Sequence, residues 1–572
     1  MTWGRRPARP ICPSRRLFRT VVPGAHGQGR ALGARNWAPG QAVGAACMAL
    51  AIAFAAATAL GDGLAAQTAE PKAVATKHRE LGFRYLREGS PLAALGQFHA
   101  AVEADRDDKR SRLAIGMIQA EHGRLSEALD EFAAAVAIDP DFAEAHLQHG
   151  LALERAGLDN DALASYHQAV RSDPDQIPAM YALSAALRKR GDTRGARRLL
   201  ERVVDASPDF AEAIVNLSLL LQREGKAREA AAYLARATEL EPENPRSRLA
   251  LGIVLAELDD IPGAVSALRE ALKLQPGNPD THYNLGLALT KSQALEEAIA
   301  LFRAALAMHP LYPGARHALG AALQQGGDLT GAVQELEQAV RDFPDDSDAR
   351  NTLASTLLRL KDVDRAIKHL EEAVRRSPLL VKAHRNLAQA YQRAGRKADA
   401  LAAQEQSMTA AARQARSSQA ILLVEQGRKL LEDGDAAAAA NSFREASETS
   451  PDSEDAHLYH GIALWQESSD IGGSLRALDR ALQINPRRAE AHYRRGLVLE
   501  AAERRDEAIA ALQTAVELAP SLEEAQRSLA ELAFRAGDLK VAGQAIGAVL
   551  AWHPKDSGAH QLQAQIRQRT RR

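Results

Sequence analysis

The sequence predicts an all-α solenoid of stacked helical hairpins, and three recurrences point to it. A proline returns every 34 residues, at Pro140, Pro174, Pro208, Pro242, Pro276, Pro310, Pro344 and Pro378, and the series resumes at Pro451, Pro486, Pro520 and Pro554. With that proline set as position 32 of each unit, a small residue holds position 8, from Gly116, Gly150 and Ser184 through to Gly496 and Ala530. Alanine holds position 20, as at Ala94, Ala128, Ala162, Ala264 and Ala542. A fixed period in this range marks stacked supersecondary units rather than a globule around one core.

Each element of the unit follows from its side chains. Positions 4, 7, 8 and 11 make an i, i+3, i+4, i+7 stripe, which predicts helix A, and positions 20, 24 and 27 do the same for helix B. Small residues at 8 and 20 let the two axes approach, and a large residue at 24 (Phe98, Phe132, Tyr166, Phe302, Phe443) fills the space opposite. Glycine at position 15, as at Gly89, Gly123 and Gly191, suits the left-handed residue that ends helix A. The proline cannot continue helix B, so the chain turns into the next unit. Fourteen units fit between about Ala75 and Asp556. Residues 557–572 read as one further helix, whose arginine-rich end suits a soluble cap.

The first unit carries Leu81-Gly82, Tyr85, Ala94, Phe98 and Ala101. This pattern resembles the tetratricopeptide repeat, a helix–turn–helix with an L-G-x-x-Y…A-x-x-x-F…A…P signature. The resemblance implies a right-handed superhelix (an α-solenoid); the arginine- and alanine-rich composition fits a bacterial chain, and the N-terminal segment over 42–66 fits one that is exported or membrane-tethered. The resemblance also implies a non-catalytic scaffold that binds peptide segments or partner proteins in a groove. The alternative is an accessory subunit of a cell-envelope machine for polysaccharide or protein export. Helix A positions 2, 5, 9, 12 and 13 would line the concave face.

At positions 5 and 9 the candidate groove residues are Leu147 and Leu151, Tyr181, Val215 and Leu219, Leu249 and Ile253, Tyr283 and Leu287. Position 13 is basic in eight of fourteen units: Arg87, Arg155, Lys189, Arg223, Lys291, Arg359, Arg393 and Arg535. Two readings compete. Cations near a helix C-terminus complement its dipole, by about 0.3–1 kcal/mol each at a surface. They would also make a cationic rail beside an apolar groove, fit for an extended or helical acidic peptide. Family members that grip a C-terminal carboxylate use Lys at position 5 with Asn at position 9, a pair no unit here has: Arg79 precedes Phe83 and Arg385 precedes Gln389.

Catalytic and cofactor chemistry finds little support. Cys12 and Cys47 both precede the repeats, so the array has neither a disulfide framework nor a cysteine nucleophile. His146/His149 and His457/His460 are i, i+3 pairs, a spacing that can chelate metal. Histidine recurs at position 4 (His78, His282, His384, His492), so these are read as packing residues. No phosphate-cradling loop or nucleophile elbow occurs, and no cofactor is expected. Beyond residue 61 the chain holds 64 basic and 73 acidic side chains, a net charge of −9, a poor basis for nucleic-acid binding.

Residues 1–61 hold eight arginines and no acid. An uncharged stretch from Ala42 to Leu60 follows that basic flank, which predicts a signal peptide or N-terminal membrane anchor over 42–66 behind an Arg-rich leader, 1–41, read as disordered. The arginine asymmetry predicts repeats outside the cytoplasm, periplasmic, secreted or anchored in the inner membrane. Repeats 1–10 are assigned to 75–416 and repeats 11–14 to 417–556. Between them, no glycine or proline interrupts Arg396 to Gln426. That stretch is read either as an elongated helix in one stack or as a joint between two segments. The extra residue near Ser468–Gly473 is expected to lengthen an inter-helix turn.

Overall fold

The computed structural model describes residues 69–552 and 556–571, and the leader and apolar segment predicted over 1–66 lie outside them. The described residues form 28 helices and no strand. They pair as fourteen helical hairpins followed by the single helix Ser557–Thr570, because one long helix, Lys397–Glu432, serves two consecutive units. The first helix starts at Ala69, ahead of the predicted Ala75, since Pro71 falls in its first turn and removes no intrahelical bond there.

The hairpin geometry follows the repeat positions. A Cβ on Gly286 would sit 2.6 Å from the Phe302 ring, and Gly116, Gly150 and Gly427 stand in the same relation to Phe132, Tyr166 and Phe443. Every unit with an aromatic at position 24 therefore needs glycine at position 8. All nine position-15 glycines have positive φ. In four other units Asp259, Gln293, Lys361 and Glu503 adopt the same left-handed conformation without being glycine, at φ 61 to 66°.

One expectation is corrected. The extra residue of the twelfth unit is taken into helix A, which runs Glu454–Ser468, and the left-handed residue moves to Ser469. The Ser469 amide still donates to the Trp465 carbonyl at 3.1 Å, so the helical ladder absorbs the insertion more readily than the turn does.

The described residues make two compact units. In the unit Ile214–Ala463, one apolar core runs from Ala256 to Ala403 and a second from Ala420 to Ala463. Between them, residues 411–419 of the long helix are all exposed. The other unit combines 69–213 with 464–571, and its cores gather around Phe98, Phe132 and Leu512.

Candidate functional site

Helix A sets positions 9 and 13 one turn apart on one face. Leu151 lies below Arg155, Leu219 below Arg223 and Leu287 below Lys291; the three leucines are half-buried. The apolar wall expected at position 5 is not at the surface. Leu147, Tyr181, Val215 and Tyr283 are buried, with 4 % exposure or less. Tyr181 packs on Phe210 at 5.0 Å between ring centroids, and Tyr283 on Tyr312 at 5.1 Å. The position-34 aromatic of the same unit thus draws the tyrosine into the core. Leu249 and Ile253 are half-buried, so the accessible apolar row is chiefly position 9.

The position-13 cations reach backward along the array. Arg359 donates to the Gln324 carbonyl and Arg393 to the Leu358 carbonyl, both at 2.7 Å. Arg155 and Lys291 reach Ala120 and Ala256 in the same way at 3.4 Å. Each acceptor lies in the last turn of the preceding unit's helix A, where carbonyls lack intrahelical partners. Arg569, in the terminal helix, repeats the contact on Phe534 at 3.2 Å, a member of the series that the sequence reading overlooked. Lys189 pairs with Asp159 at 2.6 Å, and Arg535 pairs with Glu500. Arg87, Arg155, Lys189, Arg223, Arg359 and Arg393 remain exposed. A guanidinium has five N–H donors, so a carbonyl tie leaves most of them facing water.

Position 4 has a role that the histidine pattern only hinted at. His146 Nε2 donates to the Pro140 carbonyl at 2.8 Å, and His384, His457 and His492 repeat the bond to Pro378, Pro451 and Pro486. Arg248, Arg316, Arg350 and Gln526 do the same from position 4 of their own units. In these eight units position 4 carries a donor long enough to reach the prolyl carbonyl left free where helix B ends, whereas His282 bonds the Asn278 carbonyl instead. His149, the other half of its pair, shares a 3.3 Å hydrogen bond with Ser165, and burial lowers its pKa. Among the described residues, no group of three or more His, Cys, Asp or Glu is placed to hold a metal ion. No described helix is long and apolar enough to cross a membrane.

The tetratricopeptide-repeat family model matches residues 80–143, 215–279, 249–316, 317–381, 351–416, 424–470 and 466–523, and a second model of the same description matches 156–217 and 499–566. No curated protein matches the chain. Among solved structures, it is similar to YrrB, described as a TPR protein with an unusual peptide-binding site, at 23% identity and TM-score 0.30, over 33% of this chain and 96% of that one. It is also similar to yeast Tom70, at 15% identity and TM-score 0.31, over 76% of this chain and 96% of that one. Pseudomonas aeruginosa pilF is similar at 18% identity and TM-score 0.35, over 39% of this chain and 98% of that one.

Proposed function

The chain belongs to the tetratricopeptide repeat family, and from that premise we propose that it is a non-catalytic scaffold that binds acidic, amphipathic segments of partner proteins. The observation that carries the reading is the repeated pair of a half-buried leucine and a basic side chain one turn on, Leu219 with Arg223 and Leu287 with Lys291 within the unit Ile214–Ala463, with Leu151 and Arg155 making the same pair in the other unit. An apolar row takes the hydrophobic face of a peptide, and the basic row beside it orients the acidic flank. The carbonyl ties of Arg155 and Lys291 hold those two side chains in place, which lowers the entropy lost when a ligand is bound.

The test is binding of a library of labelled acidic amphipathic peptides, followed by anisotropy, to the wild type and to the double variant Arg223→Gln, Lys291→Gln, both within the unit Ile214–Ala463. Affinity should fall in the variant, and the wild-type advantage should shrink as salt rises. Equal binding at low salt by a folded variant would remove the reading.

The basic flank before residues 42–60 supports export, with the repeats outside the cytoplasm. Alkaline phosphatase fused after Arg572 should be active in a bacterial host; an inactive fusion of normal abundance would refute this placement.

A further inference from the structure

The long helix Lys397–Glu432 is where the array departs from its own rules. Positions 21 and 28 of helix B are buried or half-buried in every other unit, as for Leu163 at 6 % and Val170 at 1 % exposure. On the long helix the same positions are Leu401 and Met408, and they stand 68 % and 61 % exposed. Position 3 of helix A is a small, fully buried residue on either side, Ala383 and Ala456 at 0 %. Here it is Leu422, 70 % exposed. In an ordinary unit the chain folds back after helix B and covers these positions. In a continuous helix nothing folds back, yet the side chains are apolar and larger than the repeat requires.

Leu401, Met408, Ala415 and Leu422 are spaced by seven. A straight helix drifts about 20° per heptad, so the four lie within roughly 60° of one another, on one face. Ala412 falls on the same face and is also exposed. One apolar row every seven residues, with alanines beside its centre at 411 and 412, fits a narrow helix–helix contact rather than the paired rows of a full coiled coil.

We propose that this face pairs antiparallel with the same helix of a second copy of the chain. A two-fold axis between Ala411 and Ala412 sets Leu401 of each copy against Leu422 of the other, and Met408 against Ala415, large upon small. A parallel pair would set Ala415 on Ala415 and leave a gap. Charge supports the same choice. Arg413 and Arg416 are the only charged residues between Glu405 and Glu425. Glu405 and Arg416 flank the stripe on one side, and in an antiparallel pair same flanks meet. At about 1.5 Å of rise per residue, Glu405 of one copy then lies ~3 Å along the axis from Arg416 of the other, twice by symmetry. The helix is self-complementary.

Sedimentation velocity of the full chain across a concentration series should show a reversible dimer. Glu405→Arg or Arg416→Glu alone should weaken it about tenfold, and the two together should restore it. Both side chains are exposed, so neither change disturbs the fold. In a background with Cys12→Ser and Cys47→Ser, Ala412→Cys should form an intermolecular disulfide with its own copy. Leu401→Cys alone should not, since its mate lies about 31 Å away, but mixed with the Leu422→Cys chain it should. A monomer at every concentration would overturn the proposal. So would a dimer indifferent to the charge exchange, or self-linking of Leu401→Cys.

Discussion

The backbone amide of Ser521 donates to Asp192 Oδ2 at 3.2 Å across 329 positions of sequence, while Asp192 Oδ1 accepts the Gly195 amide at 2.9 Å. One carboxylate thus caps helix B of the fourth unit and holds the turn ahead of the fourteenth. Asp192 and Ser521 are buried, and Arg198 adds a hydrogen bond to the Ser521 carbonyl. The contact lies within one of the two compact units.

Gly195 makes this contact testable without harm to the helix. A Cβ there would lie 2.5 Å from the Ser521 Cβ. Alanine improves the helix by up to ~1 kcal/mol over glycine, so Gly195→Ala should keep helix B and release the docked turn. Hydrogen exchange should rise at 519–522 while helix Thr193–Ala206 stays protected. Asp192→Ala should loosen both, with about 0.5–2 kcal/mol lost from the cap alone. Unchanged exchange at 519–522 in Gly195→Ala would show that the contact does not hold in solution.

The pairing of position 8 with position 24 gives a second expectation. Gly286→Ala pushes a methyl group into the Phe302 ring and should destabilise its unit by about 1–3 kcal/mol. The ninth unit has Ala354 at position 8 with Leu370 at position 24, both buried. Phe302→Leu should therefore recover part of the loss in the double variant, a coupling that urea unfolding of the four members of the cycle would measure. Strict additivity would contradict the close approach seen here.

What the sequence made legible was whatever recurs in a side chain. Period, helix pairing, the glycine turns and the terminal helix were all readable because each depends on a residue type at a fixed position. Asp259, Gln293, Lys361 and Glu503 take the left-handed turn unannounced, since the hairpin imposes that conformation whether or not glycine is present. The ties from Arg359 and Arg393 were hidden because their acceptors are backbone carbonyls, which every residue has. Ser521 on Asp192 was hidden because it occurs once, and a contact without a period leaves no pattern to count. The position-5 tyrosines misled because an apolar side chain on helix A suits a groove and a core equally; Phe210 and Tyr312 decide for the core.

The backward ties give a third expectation. Arg393→Met keeps the apolar stem of the side chain but removes the donor to Leu358. The side chain is exposed, so the loss should be small, about 0.3–1 kcal/mol, and confined to the ninth and tenth units. Hydrogen exchange resolved by peptide should show faster exchange around Leu358–Asp362 and none around Phe98. If Arg393 served only a ligand, exchange in the free protein would not change.

Acid should weaken the array through its half-buried histidines. Burial pushes His167 down to about 4 from the ordinary 6.5; the Arg190 charge adds to this and the Asp192 charge opposes it. Burial also lowers His149, His369 and His460. A folded pKa below the unfolded one means that the unfolded chain binds more protons between the two values. The stability associated with the neutral ring is therefore complete above about pH 6.5 and is lost as pH falls towards about 4, at up to ~1.4 kcal/mol per unit for His167 alone. Glu144, raised by burial, works in the opposite direction, one carboxylate against four imidazoles. Urea midpoints should hold steady above pH 7 and fall between pH 6.5 and 4.5. His167→Gln should flatten that fall in the unit that contains it; an identical slope in the variant would assign the acid sensitivity to other groups.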